Sequence, residues 1–123
     1  IYISTGLGGK GEKLRFYVLI LANELKPFLE YQKKVIEREF PYSLEKAGCE
    51  IERLTIGEKY MELVFLIPVR ADIKQALDKV INECNQYGNF LSQVFTITNV
   101  KELSAEEVEE IIKKKGGNSK ESH

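Results

Sequence analysis

The run from Tyr60 to Val69 (YMELVFLIPV) constrains the fold more than any other stretch of the chain. Its alternate positions fall into two sets, because strand side chains alternate between the two faces of a sheet. Both sets are mostly apolar, which indicates an interior strand that is covered above and below. Pro68 has no backbone N–H to donate, so regular pairing should end there. The run therefore predicts a central strand over 60–67.

A second run, Leu14 to Leu21, is also apolar on both faces and predicts another interior strand. A helix is expected over 26–40, where Pro27 suits a first turn and Pro41 an end. Ser43 suits the cap of one further turn through Lys46, which Gly48 would close. Another helix is expected between an Asp72 cap, with Gln75 as its capping-box partner, and a stop at Gly88.

The segments 49–56 and 90–100 predict two further strands of mixed polarity. In the first, Cys49 and Ile51 share one parity while Leu54 and Ile56 share the other. This slip indicates a bulge near Glu52 and Arg53. The charged residues of 49–56 favour a sheet edge, and Gly57-Glu58 predicts a tight hairpin into the strand at 60.

A last helix is expected to begin at the Ser104–Glu107 capping box and to end at Gly116-Gly117. The order of elements is that of a ferredoxin-like split βαβ (βαββαβ) sandwich, an α+β fold with an antiparallel sheet, plus a short C-terminal helix. In that topology the first and third strands are central, in agreement with the two apolar runs. We expect one domain over 1–115, a brief edge strand over 1–4 and a disordered tail over 116–123.

Both long helices should pack on one face of this sheet, which leaves the other face in need of a cover. That face carries either the residues of the other parity or the following apolar set: Leu19, Leu21, Val64, Leu66 and Val94. Three covers remain open, namely the C-terminal helix, a second copy of the chain, or a ligand held in a cleft.

A glycine-rich loop over 5–13 is the one candidate site for chemistry. Its backbone N–H groups and lysines suit an anion such as phosphate, which gives the candidate ligand-binding residues Gly8, Gly9, Lys10, Gly11 and Lys13. The loop lacks the Walker pattern and leads into a strand rather than a helix N-terminus. A simple connector is the alternative interpretation.

Composition and charge exclude several classes of function. The chain has 123 residues and a formal net charge of −1, which gives no general attraction to nucleic acid or to an acidic membrane. The charged residues are mostly Lys and Glu, a usage that resembles that of thermophile proteins. No apolar run is long enough to span a bilayer, so a cytoplasmic location is expected.

Catalytic groups are scarce. Cys49 and Cys84 are expected to be buried core residues, and His123, at the last position, is the single histidine. Without an internal histidine, Ser/His and Cys/His dyads are absent. A His-x-His metal site, as in small transposase-type nucleases on similar folds, is excluded for the same reason. No metal and no cofactor are predicted.

The sequence therefore predicts a small non-enzymatic binding module that self-associates through its sheet as a homodimer or higher oligomer. One alternative is an anion- or nucleotide-binding protein, with or without catalysis, that uses the glycine-rich loop. Another is RNA binding through the sheet aromatics Tyr17, Tyr60, Phe90 and Phe95, although the RNA-recognition signature is missing. Nucleic acid is accordingly not expected as a partner.

Overall fold

A computed structural model describes residues 12–99 and 101–121, with side chains up to residue 115. The protein is an α+β structure with one four-stranded antiparallel sheet in the order β2–β3–β1–β4. Its elements are β1 (Lys13–Ala22), a short 3-10 helix (Asn23–Leu25), α1 (Glu30–Lys46), β2 (Glu50–Ile56), β3 (Tyr60–Pro68), α2 (Ile73–Asn85), β4 (Leu91–Thr98) and α3 (Ala105–Glu121).

The two apolar runs form the two central strands, as the sequence predicts. β1 and β3 pair antiparallel from Lys13 opposite Pro68 to Leu21 opposite Tyr60. β2 and β4 lie at the edges. This order is compatible with the ferredoxin-like pattern, so the α+β prediction is confirmed.

The predicted bulge in β2 is present. The register between β2 and β3 shifts between Ile51 and Arg53, which leaves Glu52 as the extra residue. Ile51 and Leu54 consequently pack against the same core despite their opposite parity in the sequence. The bulge also places Glu52 and Arg53 near the other face, where the candidate site lies.

The main core lies between one face of the sheet and helices α1 and α2. Its fully buried side chains include Val18, Ile20, Ile36, Phe40, Leu44, Met61, Leu63, Phe65, Leu77, Val80 and Ile81. The cysteines belong to this core, as predicted: both are free and buried. Burial raises the pKa of the Cys84 thiol to about 12 and that of the Cys49 thiol in the same direction, so neither is a ready nucleophile.

The predicted start of α1 and the predicted break at Pro41 are wrong, whereas the last turn ends at Lys46 as predicted. Pro27 lies in an extended segment before the helix, because the backbone N–H of Phe28 donates to the Glu58 carbonyl at 2.9 Å. α1 starts after Leu29 instead, whose N–H donates to the Gln32 side chain at 2.9 Å. The helix then continues through Pro41 to Lys46. Proline costs one backbone hydrogen bond there, and the buried contacts of the following turn compensate for that loss.

The other helix starts follow the local signals. The Asp72 side chain accepts from the N–H of Gln75 at 3.1 Å. Ser104 and Glu107 form the predicted reciprocal pair, at 3.1 Å from the Glu107 N–H and 2.8 Å from the Ser104 N–H. α3 then runs past Gly116 and Gly117, where the sequence predicts its end, to Glu121.

Helix α3 covers the second face of the sheet. Val108 is 4% exposed and packs in one cluster with Tyr17, Leu19, Leu21 and Val64. Of the three covers that the sequence leaves open, the C-terminal helix is therefore the one present. Because this helix buries the apolar side chains, they give no argument for self-association through that face. Within the described ranges, no helix combines the length and the apolar character needed to cross a membrane.

Candidate functional site at the polar end of the sheet

The second sheet face has a polar end, where α3 leaves most of the charged side chains open to solvent. Charged and phenolic side chains from three strands and from the segment before α3 meet there. We name this group the polar end; its members are Lys13, Arg15, Tyr17, Glu50, Glu52, Arg53, Glu62 and Glu102.

Strand pairing explains why these side chains meet. Tyr17 on β1 is opposite Val64 on β3, which is in turn opposite Arg53 on β2. The three residues therefore form one row across the sheet. The next row joins Arg15 to Glu50 through Leu66 in the same way. Residues in such rows lie on one face because side chains alternate along each strand.

Glu102 joins the loop before α3 to two strands. Its carboxylate accepts from Nη2 of Arg53 at 2.6 Å and from Nη2 of Arg15 at 3.2 Å, and Arg15 Nε also donates to Glu52 at 2.7 Å. The hydrogen bond from Arg53 lowers the pKa of Glu102, and the carboxylates raise the pKa of both arginines. Glu102 and the two arginines therefore remain ionised at neutral pH, and Glu102 forms true ion pairs with both.

Tyr17 and Glu62 form the buried edge of the polar end. The Tyr17 hydroxyl donates to Oε2 of Glu62 at 2.5 Å, and Tyr17 is only 2% exposed. Burial, followed by the hydrogen bond to Glu62 and then by the Glu62 charge, raises the pKa of Tyr17 far above its usual value. In this arrangement the phenol is a hydrogen-bond donor and not an activated nucleophile.

Of the residues that the sequence selects for anion binding, the structure describes Lys13 alone. Gly8, Gly9, Lys10 and Gly11 lie outside the described residues. Lys13 is the first residue of β1, and its Nζ pairs with Oε2 of Glu50 at 2.7 Å. Because the Lys13 ammonium group is already paired with the Glu50 carboxylate, a bound anion would have to compete with that carboxylate.

The aromatic residues proposed for RNA do not form an exposed platform. Tyr17 and Phe90 are 2% and 7% exposed, and Phe90 contacts Phe28 edge-on at 6.1 Å between ring centroids. Phe90 and Phe95 belong to the core beneath the helices, whereas Tyr17 faces α3. The prediction of stacking on the sheet is wrong because the face that carries Tyr17 is packed against a helix.

Each described cation of the polar end forms an ion pair with a glutamate carboxylate. An incoming anion would have to displace a carboxylate from Arg15 or Arg53. Among the described residues, no group of three or more His, Cys, Asp or Glu side chains is arranged to hold a metal ion. The polar end could therefore bind an anion in place of one of its own carboxylates, and its described residues show no acid–base pair arranged for catalysis.

Sequence reasoning missed Glu102 altogether. It lies 87 positions from Arg15 and 49 from Arg53, so no local pattern relates them. A partial signal existed, since the predicted bulge at Glu52 and Arg53 turns both residues toward the face that carries Arg15.

Comparison with known proteins finds similarity at the level of fold. No family model and no curated protein matches the chain. A crystal structure of a candidate transposase from Deinococcus radiodurans R1 matches with a TM-score of 0.71 and 13% identity, over 91% of this chain and 97% of that one. A REP-associated tyrosine transposase, bound to a REP hairpin, matches with a TM-score of 0.61 and 11% identity, over 82% of this chain and 62% of that one. The present chain thus spans less than two thirds of the hairpin-bound protein.

These similarities correct two predictions made from the sequence. The prediction of a non-enzymatic, self-associating module of unknown role is wrong, because the structural neighbours are transposases. The prediction that nucleic acid is not a partner is wrong as well, because one neighbour is bound to a REP hairpin. A net charge near zero is a weak argument against a nucleic-acid partner, since net charge describes the whole surface and not a local contact.

Proposed function

We propose that this protein acts on DNA and recognises a folded single strand such as a hairpin. The supporting observation is the extent of the fold match to a candidate transposase, which covers 91% of this chain and 97% of the other. The match to a hairpin-bound transposase indicates the form of the nucleic acid. Fold alone hosts many functions, which is why the proposal needs a direct binding test.

The proposal includes no strand cleavage that depends on a His-x-His pair. The sequence has one histidine, His123, so such a pair cannot form within it. Tyr17, held as a donor to Glu62, does not supply the nucleophile in this arrangement either. A role on DNA is compatible with the cytoplasmic location proposed from the sequence.

Binding to DNA can be tested by fluorescence anisotropy. The probes are a labelled DNA hairpin with unpaired flanks, a strand of equal length that does not fold, and a blunt duplex. We expect saturable binding to the hairpin with a dissociation constant tighter than about 1–100 μM, the range of non-specific binding. Failure of all three probes to bind at low salt would overturn the proposal.

Strand processing needs a separate readout on the same hairpin. The end-labelled DNA is incubated with the protein in the presence of Mg²⁺ or Mn²⁺ and resolved on a denaturing gel. A discrete shortened or protein-linked product would extend the proposal to DNA chemistry. Intact DNA alongside saturable binding would limit the action to recognition of the hairpin.

A further inference from the structure

The outer side of helices α1 and α2 carries three tyrosines that the core does not use. Tyr31 and Tyr42 on α1 are 48% and 62% exposed, and Tyr87, just after α2, is 49% exposed. Large rings are enriched at interfaces, so several exposed together make this side of the helices a candidate binding surface.

Local contacts bring these rings together with cations. The Tyr31 hydroxyl donates to the Tyr87 carbonyl at 3.2 Å, which links α1 to the end of α2. The guanidinium carbon of Arg38 lies 5.1 Å from the centroid of the Tyr87 ring. Nζ of Lys46 lies 4.8 Å from the centroid of the Tyr42 ring. The Tyr87 and Tyr42 rings therefore each have a positive charge within cation–π range.

Helical spacing places these residues along one side of α1. Tyr31, Arg38 and Tyr42 are seven and four residues apart, and Lys46 follows after four more. Residues three or four apart, and seven apart, face the same way on a helix. Tyr31 and Tyr42 are separated by about 16 Å along the axis, at 1.5 Å per residue.

We propose that unpaired DNA nucleotides stack on this aromatic–cation surface, formed by Tyr31, Arg38, Tyr42, Lys46 and Tyr87. The inference rests on the proposed action on DNA and assigns it a surface. Rings and guanidinium planes accept the faces of bases of any sequence, while neighbouring cations meet the phosphates. Paired bases stack on each other and expose no free face, so unpaired loops or flanks are the part of a hairpin that fits.

The charge of the surface defines how it binds. Arg38 also pairs with Glu39 at 3.0 Å, and Glu45 is exposed beside Lys46. These two carboxylates balance the charges of Arg38 and Lys46, so stacking should supply more of the affinity than charge. A shallow salt dependence is expected, with a slope of log K against log salt no steeper than about −2 for two phosphate contacts.

The test compares ring removal with ring retention in the full chain. Tyr42→Ala and Tyr87→Ala remove rings, Tyr42→Phe retains one, and Val94→Ala is a control on an exposed residue far from α1 in sequence. The DNA is a hairpin with an unpaired flank of about ten nucleotides, within the usual site sizes of single-strand binders. Binding is read by anisotropy and by quenching of tyrosine fluorescence, since the chain has no tryptophan.

Loss of each ring should weaken binding by about 5- to 100-fold, with Tyr42→Phe and Val94→Ala within about twofold of the unsubstituted protein. Equal binding by the unsubstituted protein and both alanine variants would overturn this inference and leave the proposed function standing. Absence of DNA binding by the unsubstituted protein would overturn the proposed function itself. Thermal melting checks that each variant folds, and Lys46→Glu, which should weaken binding without removing a ring, replaces Tyr42→Ala if that variant does not fold.

Discussion

Glu102 accepts a hydrogen bond from Nη2 of Arg53 at 2.6 Å and so fastens the segment before α3 to the edge strand β2. Arg15 holds the same carboxylate from β1 at 3.2 Å. Through this one side chain, the helix that covers the second face of the sheet is tied to two of its strands.

Replacing Glu102 with Gln should lower the melting temperature slightly at neutral pH, because both arginines lose a charged partner that is partly open to solvent. The pKa of Glu102 is lowered in the folded protein. Its contribution is therefore present above the unfolded pKa, near 4.5, and is lost as the pH falls through the folded pKa.

Melting curves of the Glu102→Gln variant and the unsubstituted protein should accordingly converge in acid and in high salt. Lys74→Gln offers a matched control, since its ion pair with Asp78 lies within α2 and fastens no second element. A difference between the Glu102 variant and the unsubstituted protein that persists in acid would contradict the ion-pair interpretation.

Tyr17→Phe should lower the free energy of unfolding by about 1–3 kcal/mol, because the partly buried Glu62 carboxylate loses its donor. Tyr42→Phe is the control, since Tyr42 is 62% exposed, and should change it by less than about 0.5 kcal/mol. Urea unfolding at neutral pH measures both. Equal stability of the two variants would show that the Tyr17 hydroxyl contributes nothing.

The raised pKa of Tyr17 gives a second readout. Burial favours the neutral phenol, so its contribution to stability is present below the unfolded pKa, near 10, and is lost as the pH rises above it. An alkaline titration followed by phenolate absorbance should show that Tyr17 ionises only as the protein unfolds. Ionisation of every tyrosine near pH 10 in the folded protein would contradict this.

Val108→Ala tests whether α3 is an integral part of the domain. Val108 is 4% exposed against Tyr17, Leu19, Leu21 and Val64, so the change should cost about 1–3 kcal/mol of unfolding free energy. The same substitution at Val94, which is 65% exposed, should cost less than about 0.5 kcal/mol. Chemical denaturation compares the two, and equal effects would mean that α3 is only loosely attached.

Asn85→Ala tests the joint between α2 and β4. The Asn85 side chain donates to the Leu91 carbonyl at 3.0 Å and accepts from the N–H groups of Phe90 and Leu91 at 3.2 and 2.9 Å. Loss of these partly buried bonds should cost about 2 kcal/mol. Asn82→Ala, which removes one exposed hydrogen bond from Gln93 of β4 at 3.0 Å, is the control in denaturant unfolding, and equal losses would contradict the assignment.

The sequence predicted those features that depend on local pattern. The apolar faces of β1 and β3 identified the central strands, the parity slip identified the bulge at Glu52, and Ser104 with Glu107 identified the start of α3. These signals lie within a few residues of one another, so neighbouring side chains decide them.

Features that depend on distant partners were missed. Pro41 is a helix-ending signal, yet α1 continues past it because Ser43 and Leu44 are buried in the following turn. Tyr87 reaches α1 only through the packing of two helices. The proposed action on DNA has no short motif in this chain, whose single histidine is His123, and it rests on the similarity of the whole fold.

The most direct test of the account is the dissociation constant of the full chain for a DNA hairpin with an unpaired flank, set against that for a blunt duplex of equal length. The account predicts that the hairpin binds at least about tenfold more tightly than the duplex, which would bind in the non-specific range. Equal binding of the two DNAs, or no saturable binding of either, would contradict it.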